Sequence, residues 1–219
     1  LKAIAGSYAI LAGPPAVAGG TDTAFWIALL LALFTILFGT RHLDAAERHE
    51  GMVAAIALKS LVKLVAFLAV GAWVTFGLYD GVADVFARAA RHADLARLFT
   101  PLAGGAGGSY ANWAWLTLLS MLAILFLPRQ FQVAVVENVN ERHLTKAVWL
   151  FPLYMLAMNV FVVPVAFGGA MHFAGTATDP DTFVLTRPLA QGHAGLALLV
   201  FIGGLSAATG MVIVETIAL

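Results

Sequence analysis

The chain has 219 residues, of which 61% are hydrophobic and only 11% are charged, and its mean hydropathy is +0.91. This usage excludes an ordinary soluble domain and indicates a membrane protein with several spanning helices. Lysine plus arginine and aspartate plus glutamate number 12 each, so the charge gives no reason to expect a nucleic-acid partner. The absence of cysteine excludes disulfides, thiolate metal sites and thiol catalysis.

One partial and five fuller apolar segments follow along the chain and predict an all-α membrane protein in a lipid bilayer. The first segment is closed by Gly13, Pro14 and Pro15, which are typical of a helix end. The predicted helices lie near residues 1–12, 23–40, 51–79, 111–129, 145–171 and 193–219. Since Leu1 is not an initiator methionine and Leu219 falls within an apolar run, we expect the chain to be a piece of a longer protein.

Residues 80–100 differ from these segments because charged and apolar positions alternate at helical spacing. Asp84 and Arg88 are four residues apart, which places them on one polar face. This pattern predicts an amphipathic helix that lies at the membrane interface.

The loops 40–50 and 129–146 contain several basic residues, and we expect both on the cytoplasmic side. In the first loop, acids alternate with basic and imidazole groups. We expect this loop to form a cytoplasmic cap in which Glu47 and Arg48 contact neighbouring helix ends.

Lys59 and Lys63 lie one turn apart inside an otherwise apolar helix. Lys59 is near enough to the interface to extend its ammonium into water. Lys63 is a turn deeper, and an unpaired ammonium in hydrocarbon is costly. Lys63 is therefore a candidate residue of a solute or ion pathway, with extension towards the interface as the alternative.

Four further polar residues lie in apolar segments and are weaker candidates. Asn159 lies between two prolines, where an amide can hydrogen-bond a neighbouring helix. Ser206 and Thr209 lie in a run of small residues that would also explain close helix packing. Glu215 follows as an intramembrane carboxylate, with a solvated position at the helix end as the alternative.

Three stretches resemble a known family: GTRHLDAAERHEGMVAAIALKSLVKLVAF, FLPRQFQVAVVENVNERHL and SAATGMVIVETIAL. Over essentially its whole length the chain resembles the sodium/solute symporter family of proline permeases and sodium/glucose transporters. The resemblance is strongest to the symporter-like domains fused to bacterial sensor histidine kinases. It implies that residues 1–219 are the central part of an inverted-repeat bundle of the amino-acid/sodium symporter type, in the bacterial inner membrane.

The resemblance fails where the family binds sodium. Its adjacent Ser-Thr pair falls on Ala207 and Ala208, and methyl groups offer no oxygen to a hard cation. Its Thr-Asp-x-x-Gln motif falls on residues 46–50, where the carboxylate survives as Glu47, whereas Pro128 matches the proline of its broken helix. These departures argue against sodium and leave protons as the alternative coupling ion, and we expect no metal or organic cofactor in this chain.

Two functions follow from the resemblance. One is a transporter-derived sensory module that binds a small solute, with its transport left open, and signals to a kinase domain of the same chain. The other is a free-standing sodium- or proton-coupled symporter. An intramembrane enzyme has little support because no catalytic arrangement of residues is evident. We favour the sensory module, with an amino acid, and histidine first, as the solute; any kinase chemistry would belong to the longer protein.

Overall fold

The computed structural model describes residues 2–13, 23–38, 50–96, 99, 110–126, 138, 140 and 142–218. Within these ranges the regular elements are all helical, which confirms the all-α fold class. A 3-10 turn, Pro180–Thr182, precedes α9. The helices are α1 (Lys2–Ala12), α2 (Thr23–Phe38), α3 (Glu50–Ala72), α4 (Val82–Arg91), α5 (Ala93–Ala96), α6 (Tyr110–Phe126), α7 (Arg142–Val160), α8 (Val162–His172), α9 (Phe183–Ala190) and α10 (Ala194–Ala218).

Three helical segments of the described chain are long and apolar enough to cross a membrane: Ala54–Leu78, Arg142–His172 and Ala194–Met211. At a rise of 1.5 Å per residue, the first of them extends about 38 Å, which exceeds a hydrocarbon core of about 30 Å. These segments identify the chain as a membrane protein.

The central helix α3 packs antiparallel against α10 through glycines. A Cβ at Gly203 would lie 2.9 Å from the Cβ of Ala66 and 3.6 Å from the Cα of Lys63. A Cβ at Gly210 would likewise lie 3.7 Å from the Cδ of Lys59. Small residues let two helix backbones approach closely where lipid provides no hydrophobic drive for association. The small-residue run of α10 is therefore a packing surface.

On its other side, α3 packs parallel to α7 and α8. Tyr154 of α7 reaches Ser60, near the middle of α3, and Phe161 lies against Gly71, close to its end. Gly168 of α8 lies beside Val74. The parallel arrangement places the first residues of α3 and α7 at the same end of the bundle.

The last turns of α3 widen into a π-helix, Trp73–Leu78. The chain leaves it through Gly81, whose φ of 107° is disfavoured for residues with a side chain, and the Gly81 amide donates to the Thr75 carbonyl at 3.0 Å. Val74 of this segment joins Val70 and Val165 in the buried core. The core thus lies where the π-helix, α8, α9 and α10 meet.

The sequence predicts one helix over 145–171, but the structure divides it at Phe161, where φ is −102° and ψ is 0°. Proline lacks an amide hydrogen and its ring collides with the carbonyl four residues earlier. Pro164 therefore cannot donate a backbone hydrogen bond to the carbonyl of Val160, the residue at which α7 ends. Pro152, by contrast, lies within α7.

The sequence predicts one amphipathic interfacial helix over 80–100, but the structure divides the described part into α4 and α5 at His92. Its position at a membrane interface stays a prediction. Val85 and Ala89 are buried, and about 100° around the helix from them the Arg88 guanidinium lies 2.9 Å from the Asp84 carboxylate. Arg88 also lies over the Tyr79 ring, 5.4 Å from its centroid. The rings of Phe86 and Phe167 meet edge to face, which attaches α4 to α8.

Candidate functional site

Lys63, the leading candidate from the sequence, lies half-buried between α3 and α7. Its Nζ is 5.8 Å from the centroid of the Tyr154 ring, within the range of a cation–π interaction. The Tyr154 hydroxyl donates a hydrogen bond to the Ser60 carbonyl at 3.4 Å. The ammonium therefore has an aromatic partner on a neighbouring helix, which lowers the cost of placing it within the membrane.

The candidates on α10 serve packing in this structure. The Thr209 hydroxyl donates to the Leu205 carbonyl at 2.7 Å, one turn back in the same helix. Ser206 is half-buried in the small-residue run that approaches α3. Glu215 belongs to α10, but its side chain lies outside the described residues, as does the whole of Glu47.

Asn159 is exposed, and its side-chain amide donates to the Met155 carbonyl at 2.7 Å within its own helix. Among the described residues, the hydrogen bond found for this amide is this local one, and a bond to a neighbouring helix stays a prediction. A side chain that satisfies itself locally is a poor candidate for a pathway. Lys63, Asn159, Ser206 and Thr209 are not gathered into one site.

Arg187 is a residue that the sequence analysis missed. It lies on α9, only 6% of its surface is exposed, and its Nε and Nη1 have no hydrogen-bond partner among the described residues. Buried polar groups almost always have a partner, and a buried unpaired charge is strongly unfavourable. The guanidinium therefore marks a place where an anion is expected.

The surroundings of Arg187 show which helices hold it. Val184, three residues earlier and on the same face of α9, packs on the buried core. Phe183, a turn earlier, lies against Gly169 and stacks on Phe173, with 5.6 Å between ring centroids. His172, the last residue of α8, is near enough to experience the charge of Arg187. Arg187 thus lies on a helix that packs against both α8 and α10.

Two helix irregularities border the same core. The π-helix contains Thr75, which is fully buried and whose hydroxyl has no hydrogen-bond partner among the described residues. Phe161, at the break between α7 and α8, meets Phe76 of the π-helix edge to face at 6.4 Å. The rings of His193 and Trp73 have their centroids 5.0 Å apart, so the turn between α9 and α10 lies at the end of α3 where the π-helix begins. Irregular turns of this kind often occur at functional sites.

The sequence carried one signal for this site. Residues 183–190 contain a single charge among apolar side chains, but the segment is too short to span a bilayer and lies between the predicted helices 145–171 and 193–219. Periodicity could have identified a short buried helix, because apolar residues precede Arg187 at three and four positions.

Within the described residues, no cluster of three or more His, Asp or Glu side chains could hold a metal ion. Comparison with known proteins found no matching family model, no matching curated protein and no matching solved structure. Function must therefore be argued from the geometry of the site.

Proposed function

We propose that this chain is part of a transporter-derived sensory module of the bacterial inner membrane, which binds a small solute bearing a carboxylate. An amino acid is the proposed solute class, with histidine tested first. In this proposal, the chain is the central part of an inverted-repeat, symporter-like bundle, and solute occupancy is passed to a histidine kinase domain of the longer protein. The observation that carries the proposal is the buried guanidinium of Arg187, whose Nε and Nη1 have no hydrogen-bond partner among the described residues.

Arginine suits this role because its planar guanidinium can donate two parallel hydrogen bonds to one carboxylate. An arginine that served only to hold helices together would be expected to have a carboxylate or carbonyl partner already. Transporters commonly bind solutes beside interrupted helices, where backbone groups are released from the helical ladder. The break at Phe161 and the π-helix Trp73–Leu78 supply such interruptions around the core next to Arg187.

Signalling requires that the solute bind two conformations with unequal affinity. A site at the junction of three helices meets this requirement, because small relative movements of α8, α9 and α10 change the surroundings of the guanidinium. The alanines at 207 and 208 support a sensor over a sodium-driven permease, since they cannot ligate sodium.

The experiment measures thermal stabilisation of the purified chain in nanodiscs by a panel of amino acids, and by histidine methyl ester, which lacks a free carboxylate. Stabilisation reports ligand affinity through mass action. We expect stabilisation by a carboxylate-bearing solute, none by its ester, and at least a thirtyfold affinity loss in Arg187→Gln, since losing one member of a buried charge pair costs about 2–5 kcal/mol. Arg91→Gln, at an exposed position of α4, is the matched control.

The solute-free stability of Arg187→Gln separates binding from structure. If Arg187 awaits a ligand, removing its unpaired charge leaves the solute-free chain as stable or more stable. A structural arginine would instead destabilise the solute-free chain when replaced, and that result would contradict the proposal. Solute-dependent autophosphorylation of the full-length protein would support the sensor; uptake by a protein without a kinase domain would support the free-standing symporter.

A further inference from the structure

An open groove lies along the first three turns of α7, and Ser60, near the middle of α3, lines it from the other side. Its volume is about 530 Å³. His143 and Lys146 line one end, Leu150 and Phe151 line the middle, and Tyr154 closes the other end. The groove is separate from Arg187, because the α9–α10 turn lies at the end of α3 where the π-helix begins.

The groove changes from cationic to apolar along one face of α7. Lys146, Leu150 and Tyr154 follow His143 at three, seven and eleven residues, which keeps them on the same side of the helix. Between His143 and Leu150 the helix rises about 10 Å. The side chains that line the groove therefore change from polar to apolar over about 10 Å, which is close to the distance from a phospholipid headgroup to the upper part of its acyl chains.

The charge of the groove has one sign. The described residues that line it include no carboxylate, and Arg142 precedes His143 at the start of α7. The ammonium of Lys63 lies above the ring of Tyr154 from the α3 side. An occupant that matches this surface carries a negative group at the helix ends and an apolar part further along.

We propose that this groove binds an anionic phospholipid, with its phosphate beside Lys146 and His143 and one acyl chain along Leu150 and Phe151. Basic pockets between membrane helices are suited to anionic headgroups. A free phosphate would leave the apolar half of the groove unused, and a zwitterionic lipid would gain less from the cations. The lipid would join α3 to α7 on their outer side.

The test is native mass spectrometry of the full chain, released from an uncharged detergent after equilibration with equal amounts of phosphatidylglycerol and phosphatidylcholine of the same acyl chains. We expect preferential retention of phosphatidylglycerol at a saturable site. Lys146→Gln should lower that preference about fivefold, as expected for the loss of one surface cation, and adding His143→Gln should lower it further. Arg91→Gln, which removes a cation from α4, should retain the preference.

Two further arms keep the outcome decisive. Ala147→Trp fills the groove and leaves Lys146 and His143 in place, so it should also lower phosphatidylglycerol retention if the acyl chain binds here. Inorganic phosphate should not displace the lipid; full displacement would identify a free-anion site and overturn the proposal. Equal retention of the two lipids by the wild-type chain would also overturn it. Thermal melting of each variant shows that lost retention does not reflect unfolding.

Discussion

Replacing Gly203 with alanine should destabilise the chain, whereas the same change at Gly204 should not. A Cβ at Gly203 would lie 2.9 Å from the Cβ of Ala66, and at Gly204 nothing lies within 4 Å. Ordinary contacts between such carbons are about 3.5–4 Å, so α3 and α10 would have to separate by about 0.5 Å or more. Overpacking of this kind costs about 1–3 kcal/mol.

Both replacements also remove the intrinsic helix penalty of glycine, which is about 1 kcal/mol. The informative quantity is therefore the difference in free energy of unfolding between the two variants. We expect Gly204→Ala to be neutral or stabilising by up to about 1 kcal/mol, and Gly203→Ala to be less stable than it by about 1–3 kcal/mol.

The free energies would be measured by titrating the detergent-solubilised chain with a denaturing detergent and following far-UV circular dichroism. Ala66→Gly provides an internal check because it removes the atom that the new methyl group meets. In that background the cost of Gly203→Ala should fall, giving a favourable coupling energy in the double-mutant cycle. Equal stabilities for the two alanine variants, or an unchanged cost in the Ala66→Gly background, would refute the proposed contact.

Lys63→Met should lower solute-dependent signalling or transport while leaving membrane insertion intact, whereas Lys59→Met should be tolerated. Reporter output measures the response, and the amount of protein in the membrane measures insertion. A normal response from Lys63→Met would exclude a role of Lys63 in the solute or ion pathway. Uptake into proteoliposomes should be equal with sodium or choline as the only cation, because alanines replace the hydroxyl pair; a strict sodium requirement would contradict this. Arg88 holds the pKa of Asp84 below its usual range, so the stabilisation of α4 by this pair is present at neutral pH and lost as pH falls through that lowered pKa. Asp84→Asn should abolish this acid-dependent loss of amide protection in hydrogen exchange, and an unchanged acid profile would argue against the pair.

The sequence predicted those features that depend on local pattern. Apolar runs indicated the helices, and the spacing of Asp84 and Arg88 indicated their pairing. Both follow from helical periodicity, which is a property of neighbouring residues along one chain.

The features that the sequence did not predict depend on contacts between distant segments. Pro152 and Pro164 look alike in the sequence, yet α7 continues through the first and ends before the second. Phe161, where α7 ends, lies against Gly71, a neighbour about ninety positions away that the local pattern does not reveal. The burial of Arg187, with no partner for its Nε and Nη1 in the part of the chain that the structure describes, likewise became evident only when α8, α9 and α10 were assembled.

The π-helix Trp73–Leu78 has a consequence for insertions and deletions. A π-turn holds about one residue more than an α-turn, so deleting a residue between 73 and 78 would let the segment revert to an α-helix. An insertion that lengthened the segment as an α-helical ladder would instead rotate everything after it by about 100° per residue around the axis of α3. The length of the segment therefore sets the direction in which the chain leaves α3 towards α4.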